Sequence, residues 1–187
     1  MDAQRAELAD LIAAVNKVAS EAKSVFGNLS VTQLNWKPSS DRWSVAQCFD
    51  HLITSNKGYF PVVENVLAGK KQTFWESMPL LPKLAGKMLI KSLDPASTRK
   101  IRAPKKFQPS ESNISGSVID DFAAQLAEIV GKMRATEHLD LGRIIITSPV
   151  AAVVTYSLMD AYRIIVVHER RHFEQARRVM EESAFPK

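Results

Sequence analysis

Two histidines one helical turn apart, in the stretch His168-Glu169-Arg170-Arg171-His172, are the residues of this sequence best placed to do chemistry. Side chains four apart share a helix face, so two imidazoles at this spacing can both reach one divalent cation. The line on which they stand, Ala161, Ile165, His168, His172, Ala176 and Val179, is otherwise apolar. Two rings buried there would need separate hydrogen-bond partners, whereas a single ion satisfies both. The stretch also fits the H-E-x-x-H pattern of zinc peptidases, in which the glutamate is the general base. Its surroundings argue against that use. No histidine follows His172 to serve as a downstream ligand, and the extended metzincin form needs glycine and histidine where this chain has Gln175 and Arg178.

A third histidine, His51, reads either as a satisfied core histidine or as a third ligand. Three histidines from two helices would leave an open coordination position, where a water could be activated or a thiolate or carbonyl held. Neutral imidazoles leave the charge of such an ion uncompensated, which suits an anionic ligand.

The elements that must position these residues are helical. Residues 3–26 carry Leu8, Leu11, Ile12, Val15, Val18, Ala19, Ala22 and Phe26 at three-four spacing, which predicts an amphipathic helix ended by Gly27-Asn28. Residues 34–43 read as a turn-rich linker whose tryptophans, Trp36 and Trp43, pack back on the core. Ser44-Val45-Ala46-Gln47 has the form of a capping box. It opens a second helix with the stripe Val45, Phe49, Leu52, Phe60 and Val63, fading near Gly69. His51 lies along the edge of that stripe and should look inward.

Residues 70–114 differ in character, because Pro79, Pro82, Pro95, Pro104 and Pro109 break any long element. They leave room for a short helix over 82–93, with Pro82 in its first turn, and otherwise form an excursion over one end of the bundle. Ser117, with Asp120 three places on, predicts a capped third helix carrying Val118, Phe122, Leu126, Ile129, Val130 and Met133 and ending near His138. Residues 141–149 read as loop, although their β-branched run could form a short extended piece. Ser157-Leu158-Met159-Asp160 starts a last helix that runs to about Glu182. Four long helices without a strand pattern predict an all-α four-helix bundle with a Pro-rich insertion between helices 2 and 3.

A chain of 187 residues suits one domain, 1–187, with a sizeable core. No apolar run is long enough to span a bilayer, and the N-terminus lacks the pattern of a secretory signal. With the single cysteine, Cys48, this predicts a cytoplasmic protein and no membrane partner. The net charge of +5 owes much to Lys83, Lys87, Lys91, Arg99, Lys100, Arg102, Lys105 and Lys106. These residues form no nucleic-acid module and read as a solvated basic face, so no nucleic-acid partner is expected.

Other reactive side chains have blander readings. Cys48 shares a face with His51 but reads as inert and buried. Glu169 points about 100° away from His168. It could act as a base through bound water, or serve as an outer partner or surface group. His138 reads as solvated, Arg170 and Arg171 as outward-facing or paired, and Tyr59, Tyr156 and Tyr162 as candidates for lining a pocket.

Trp43-Ser44 at a helix start, His51-Leu52 within that helix and the terminal His168-Glu169-Arg170-Arg171-His172 with Gln175 form an ordered set. With Asn35-Trp36-Lys37-Pro38, Ala103-Pro104 and Pro109, it resembles the DinB/YfiT-like superfamily of four-helix metal-binding proteins over nearly the whole chain. The resemblance implies that His51, His168 and His172 bind a divalent metal, zinc or nickel. It also implies a small-molecule substrate, with S-transfer or isomerisation using a low-molecular-weight thiol such as bacillithiol or mycothiol, or hydrolysis, as the reaction. A homodimer is expected on the same ground. The alternative is a binding or stress-related protein whose metal site is structural or vestigial.

Overall fold

The computed structural model describes residues 2–70, 73, 76, 81–93, 107–110, 113–151 and 154–187, the side chains of 81–85 excepted. Its elements are α1 (Asp2–Phe26), α2 (Val31–Asn35), α3 (Val45–Lys57), α4 (Phe60–Leu67), α5 (Leu81–Ser92), α6 (Val118–Ala135), β1 (Ile145–Thr147), β2 (Thr155–Ser157) and α7 (Leu158–Met180). The four long helices close a ring in the order α1, α6, α3, α7.

Contacts along their lengths give the directions. Gln4 Nε2 donates to the Leu139 carbonyl beyond α6 at 2.8 Å, and Lys23 meets Asp120 at 2.9 Å, so α1 and α6 are antiparallel. Arg163 bonds Glu7 and Phe173 packs on Phe26, so α1 and α7 are parallel. Phe49 against Phe122, with Gln125 Nε2 donating to the Ile53 carbonyl, makes α3 parallel to α6. The long insertion therefore has to return the chain along the bundle before α6 can begin. Phe26, Phe49, Phe122 and Phe173 meet edge to face or tilted inside the ring, and the predicted stripe of α6 is buried throughout.

The helix starts follow local chemistry. Ser44 Oγ accepts from Gln47 N while Gln47 Oε1 accepts from Ser44 N, completing the predicted box. Gln47 Nε2 also donates to the Ser110 carbonyl, so the same box pins residues 107–110 onto α3. Ser44→Ala should lower unfolding stability by about 1 kcal/mol. Urea denaturation checks this, and an unshifted midpoint would deny the cap any share in stability. Ser157 Oγ accepts from Asp160 N and starts α7 as predicted.

Four expectations need correction. The stretch read as a linker begins inside α2, a one-turn helix with its own box between Ser30 and Gln33 that ends at Asn35. The predicted second helix is two, because Pro61 has no N–H for the Lys57 carbonyl and the chain turns at Gly58-Tyr59 into α4. Ser117 is helical in backbone and does not cap α6; its hydroxyl donates to Asp121 Oδ2 at 2.8 Å instead. Residues 145–147 are a strand, pairing antiparallel with β2 in the register Ile145↔Ser157, Ile146↔Tyr156 and Thr147↔Thr155. This small hairpin feeds directly into α7, the Leu158 N–H donating to the Ile144 carbonyl.

The short helix expected in the insertion is α5, with Pro82 in its first turn. It lies against β2 and α7. Gly86 permits that approach, because a Cβ there would stand 2.8 Å from Asp160 Oδ2. Pro79, Pro95, Ala103, Pro104 and the basic residues Arg99, Lys100, Arg102, Lys105 and Lys106 lie outside the described residues. Among the described residues no helix is long and apolar enough to cross a membrane.

Candidate metal centre

His51 comes from the middle of α3, and His168 and His172 from consecutive turns of the antiparallel α7. The three rings converge, with centroids 4.6 to 5.0 Å apart. One ring nitrogen from each lies within 4.8 Å of the others. The Nε2 atoms of His51 and His168 are 3.1 Å apart. His51 Nδ1 bonds the Phe107 carbonyl; as the donor in that bond it carries the proton and leaves Nε2 a lone-pair donor facing His168. The Nδ1 of His172 is buried and has no hydrogen-bond partner.

Trp43, the residue before the α3 cap, closes one side. Its indole stacks on His172 at 24° and 5.5 Å and lies 4.9 Å from the His51 ring.

Burial decides the charge state. It lowers the pKa of His51 against the opposing pull of the Phe107 carbonyl and Asp50. Burial, then the proximity of His51 and Arg171, brings His168 down to about 3. His172 falls well below the usual imidazole value, first through burial and then through His168, His51 and Arg171. All three rings are therefore neutral at pH 7, the form that ligates metals.

The residues fit a single divalent ion. The 3.1 Å between the Nε2 atoms of His51 and His168 suits two imidazoles bound at roughly 2.0–2.1 Å. An orphaned buried ring nitrogen on His172, and a His51 lone pair turned toward the Nε2 of His168, are groups that a cation would satisfy. Cys48 is fully buried with its thiol pKa pushed up by desolvation, and it is not among the converging groups.

Glu169 is not a surface residue: it is fully buried, and neither carboxyl oxygen has a hydrogen bond. Burial pushes its pKa up to about 8, against a smaller lowering effect of the Asn56 amide, whose Nδ2 also completes no hydrogen bond. The cause lies in how α7 is enclosed. It packs against α1, α3 and α5, so Leu158, Tyr162, Ile165, Val166, Phe173 and Ala176 are buried as well as the line carrying the histidines. At about 100° per residue, Glu169 falls near the middle of that buried arc and His168 at its rim.

The tyrosines serve the core. Tyr59 and Tyr156 share a 2.8 Å hydroxyl bond, and Tyr162 bonds Thr136 at 2.8 Å. His138 and Arg170 are exposed, and Arg171 is half-buried. Two features of the centre were missed in the sequence. Trp43 was expected on the core but not on the histidines, and its place directly before a helix that carries His51 was the available signal. The Phe107 carbonyl, a backbone group, has none.

A sequence model of the DinB superfamily matches residues 2–176. No curated protein and no solved structure gives a significant match.

Proposed function

Because the chain belongs to the DinB superfamily and brings three neutral histidines together, we propose that it is a metal-dependent enzyme acting on small molecules, by thiol S-transfer or hydrolysis. The observation that carries this reading is the convergence of His51, His168 and His172 from two helices, with no carboxylate joining them among the described residues. Zinc or nickel held by these residues would supply Lewis acidity, keeping a thiol as thiolate or polarising a carbonyl or water. The Phe107 carbonyl fixes the orientation and tautomer of His51. Trp43 shields the rings of His51 and His172 on one side. A site with neutral nitrogen donors and Arg171 nearby favours an anionic partner such as a thiolate. Glu169 enters as a proton holder inside α7, not as a peptidase base.

The test is metal analysis of protein purified without chelator or metal-affinity resin, followed by thiol-consumption assays of the loaded protein. One equivalent of zinc or nickel and metal-dependent thiol loss are expected. Absence of stoichiometric metal would sink the proposal.

A second reading, a non-catalytic protein with a structural ion, draws on the burial of His51 and His172, which are 4% and 8% exposed. A structural ion predicts that stripping the metal unfolds the bundle, while a catalytic ion leaves the fold intact.

A further inference from the structure

We infer that the segment following α7, residues 181–187, is a positioning strap that holds Trp43 against His51 and His172. It rests on the metal reading for its purpose but not for its geometry. Three contacts tie this segment to α2 and to the loop that joins it to α3. The Phe185 ring meets Trp36 edge to face, with centroids 5.6 Å apart and an interplanar angle of 85°. Gln33 Nε2 donates to the Pro186 carbonyl at 3.1 Å. Arg42 Nη1 lies 2.6 Å from Glu182 Oε1.

These attachments bracket the loop that ends in Trp43. Inside it, Lys37 Nζ donates to the Ser40 carbonyl, Ser39 Oγ to Asp41 Oδ1, and the Arg42 N–H to the Ser39 carbonyl. Such bonds give the loop its shape but do not fasten it to the bundle. Phe185 does so on one flank, since it packs against the core and Trp36 packs with it. Glu182 does so beside Trp43 itself. His172 makes this matter: Trp43 stacks on its ring at 24° and 5.5 Å, so the position of Trp43 helps to set the plane of that ring. The strap lies beyond residues 2–176, the stretch matched by the superfamily model.

The test uses the full chain, freed of metal with chelator, as wild type, Phe185→Ala and Glu182→Gln. Amide hydrogen exchange over residues 36–43 and diethyl pyrocarbonate labelling of His172, mapped by mass spectrometry, should both speed up in the variants while the helix interiors keep their protection. A zinc titration should then show the dissociation constant raised by roughly tenfold in Phe185→Ala, the scale found for partners outside the ligand set. Wild-type rates of exchange and labelling in both variants would overturn the strap. So would a loosened loop with His172 labelling unchanged, or one with zinc affinity unchanged. If the wild type takes up no zinc, the metal reading fails, and exchange and labelling alone decide the strap. If Phe185→Ala loses protection throughout, Glu182→Gln decides by the same measurements, because its ion pair with Arg42 is on the surface.

Discussion

His172→Ala is expected to leave a bundle that retains less than a tenth of an equivalent of metal where the wild type carries one. Removing a ligand should weaken binding beyond the roughly 10–100-fold typical of changes just outside the ligand set. Two histidines on different helices remain, too few to close a site. The fold should survive, because the alanine also removes a buried nitrogen that has no partner, and the four aromatic rings that join α1, α3, α6 and α7 are untouched. Elemental analysis paired with circular dichroism reads both quantities. Retention of a full equivalent by the variant would remove His172 from the ligand set, and loss of helicity along with the metal would favour the structural-ion reading.

Chelator-treated wild type should lose stability from pH 5 to pH 9 relative to Glu169→Gln, and the variant should be the more stable of the two at the alkaline end. The sign follows from burial. The Glu169 carboxyl has a pKa near 4.5 in the unfolded chain and about 8 in the folded one. Between those values the folded state holds a proton that the unfolded state has released, so stability is fully present below pH 4.5 and falls as pH rises through 8. The slope in that window approaches about 1.4 kcal/mol per pH unit. The histidines act in the opposite sense. Their depressed values make the folded state poorer in protons below the usual 6.5, so they destabilise it as pH falls. Both proteins share that effect, and the difference between them isolates Glu169. Urea unfolding at pH 5, 7 and 9 is the measurement, and parallel stability curves would show that the carboxyl is not held protonated.

Much of this architecture is visible in the residues because it is periodic. The stripes of α1, α3, α6 and α7, the caps at Ser44 and Ser157, and the facing positions of His51, His168 and His172 all follow from spacing along a helix. What escaped was short or non-local. A one-turn helix such as α2 has no period to detect, and three-residue strands such as β1 and β2 acquire their identity only on pairing. Ser117 has the composition of a cap, yet its hydroxyl found a better acceptor in Asp121. The burial of Glu169 is not legible from the single apolar line through the histidines, which is only part of the buried face of α7. A helix enclosed by three neighbours buries a wider arc, and the residues beyond the first line tell where its centre lies. Trp43 could be placed on the core but not on the histidines, since nothing in the spacing of loop residues fixes where a loop folds back.

The partners His51 and His168 stand 117 residues apart in the chain. During synthesis at roughly 5–20 residues per second, His51 is therefore made about 6–23 seconds before His168. Throughout that interval a nascent chain offers a passing cation only one of the three rings. Complete convergence waits for the last long helix to pack between α1 and α3. Metal choice would then fall to a finished bundle, after folding, and not to an ion recruited early to guide the chain into shape.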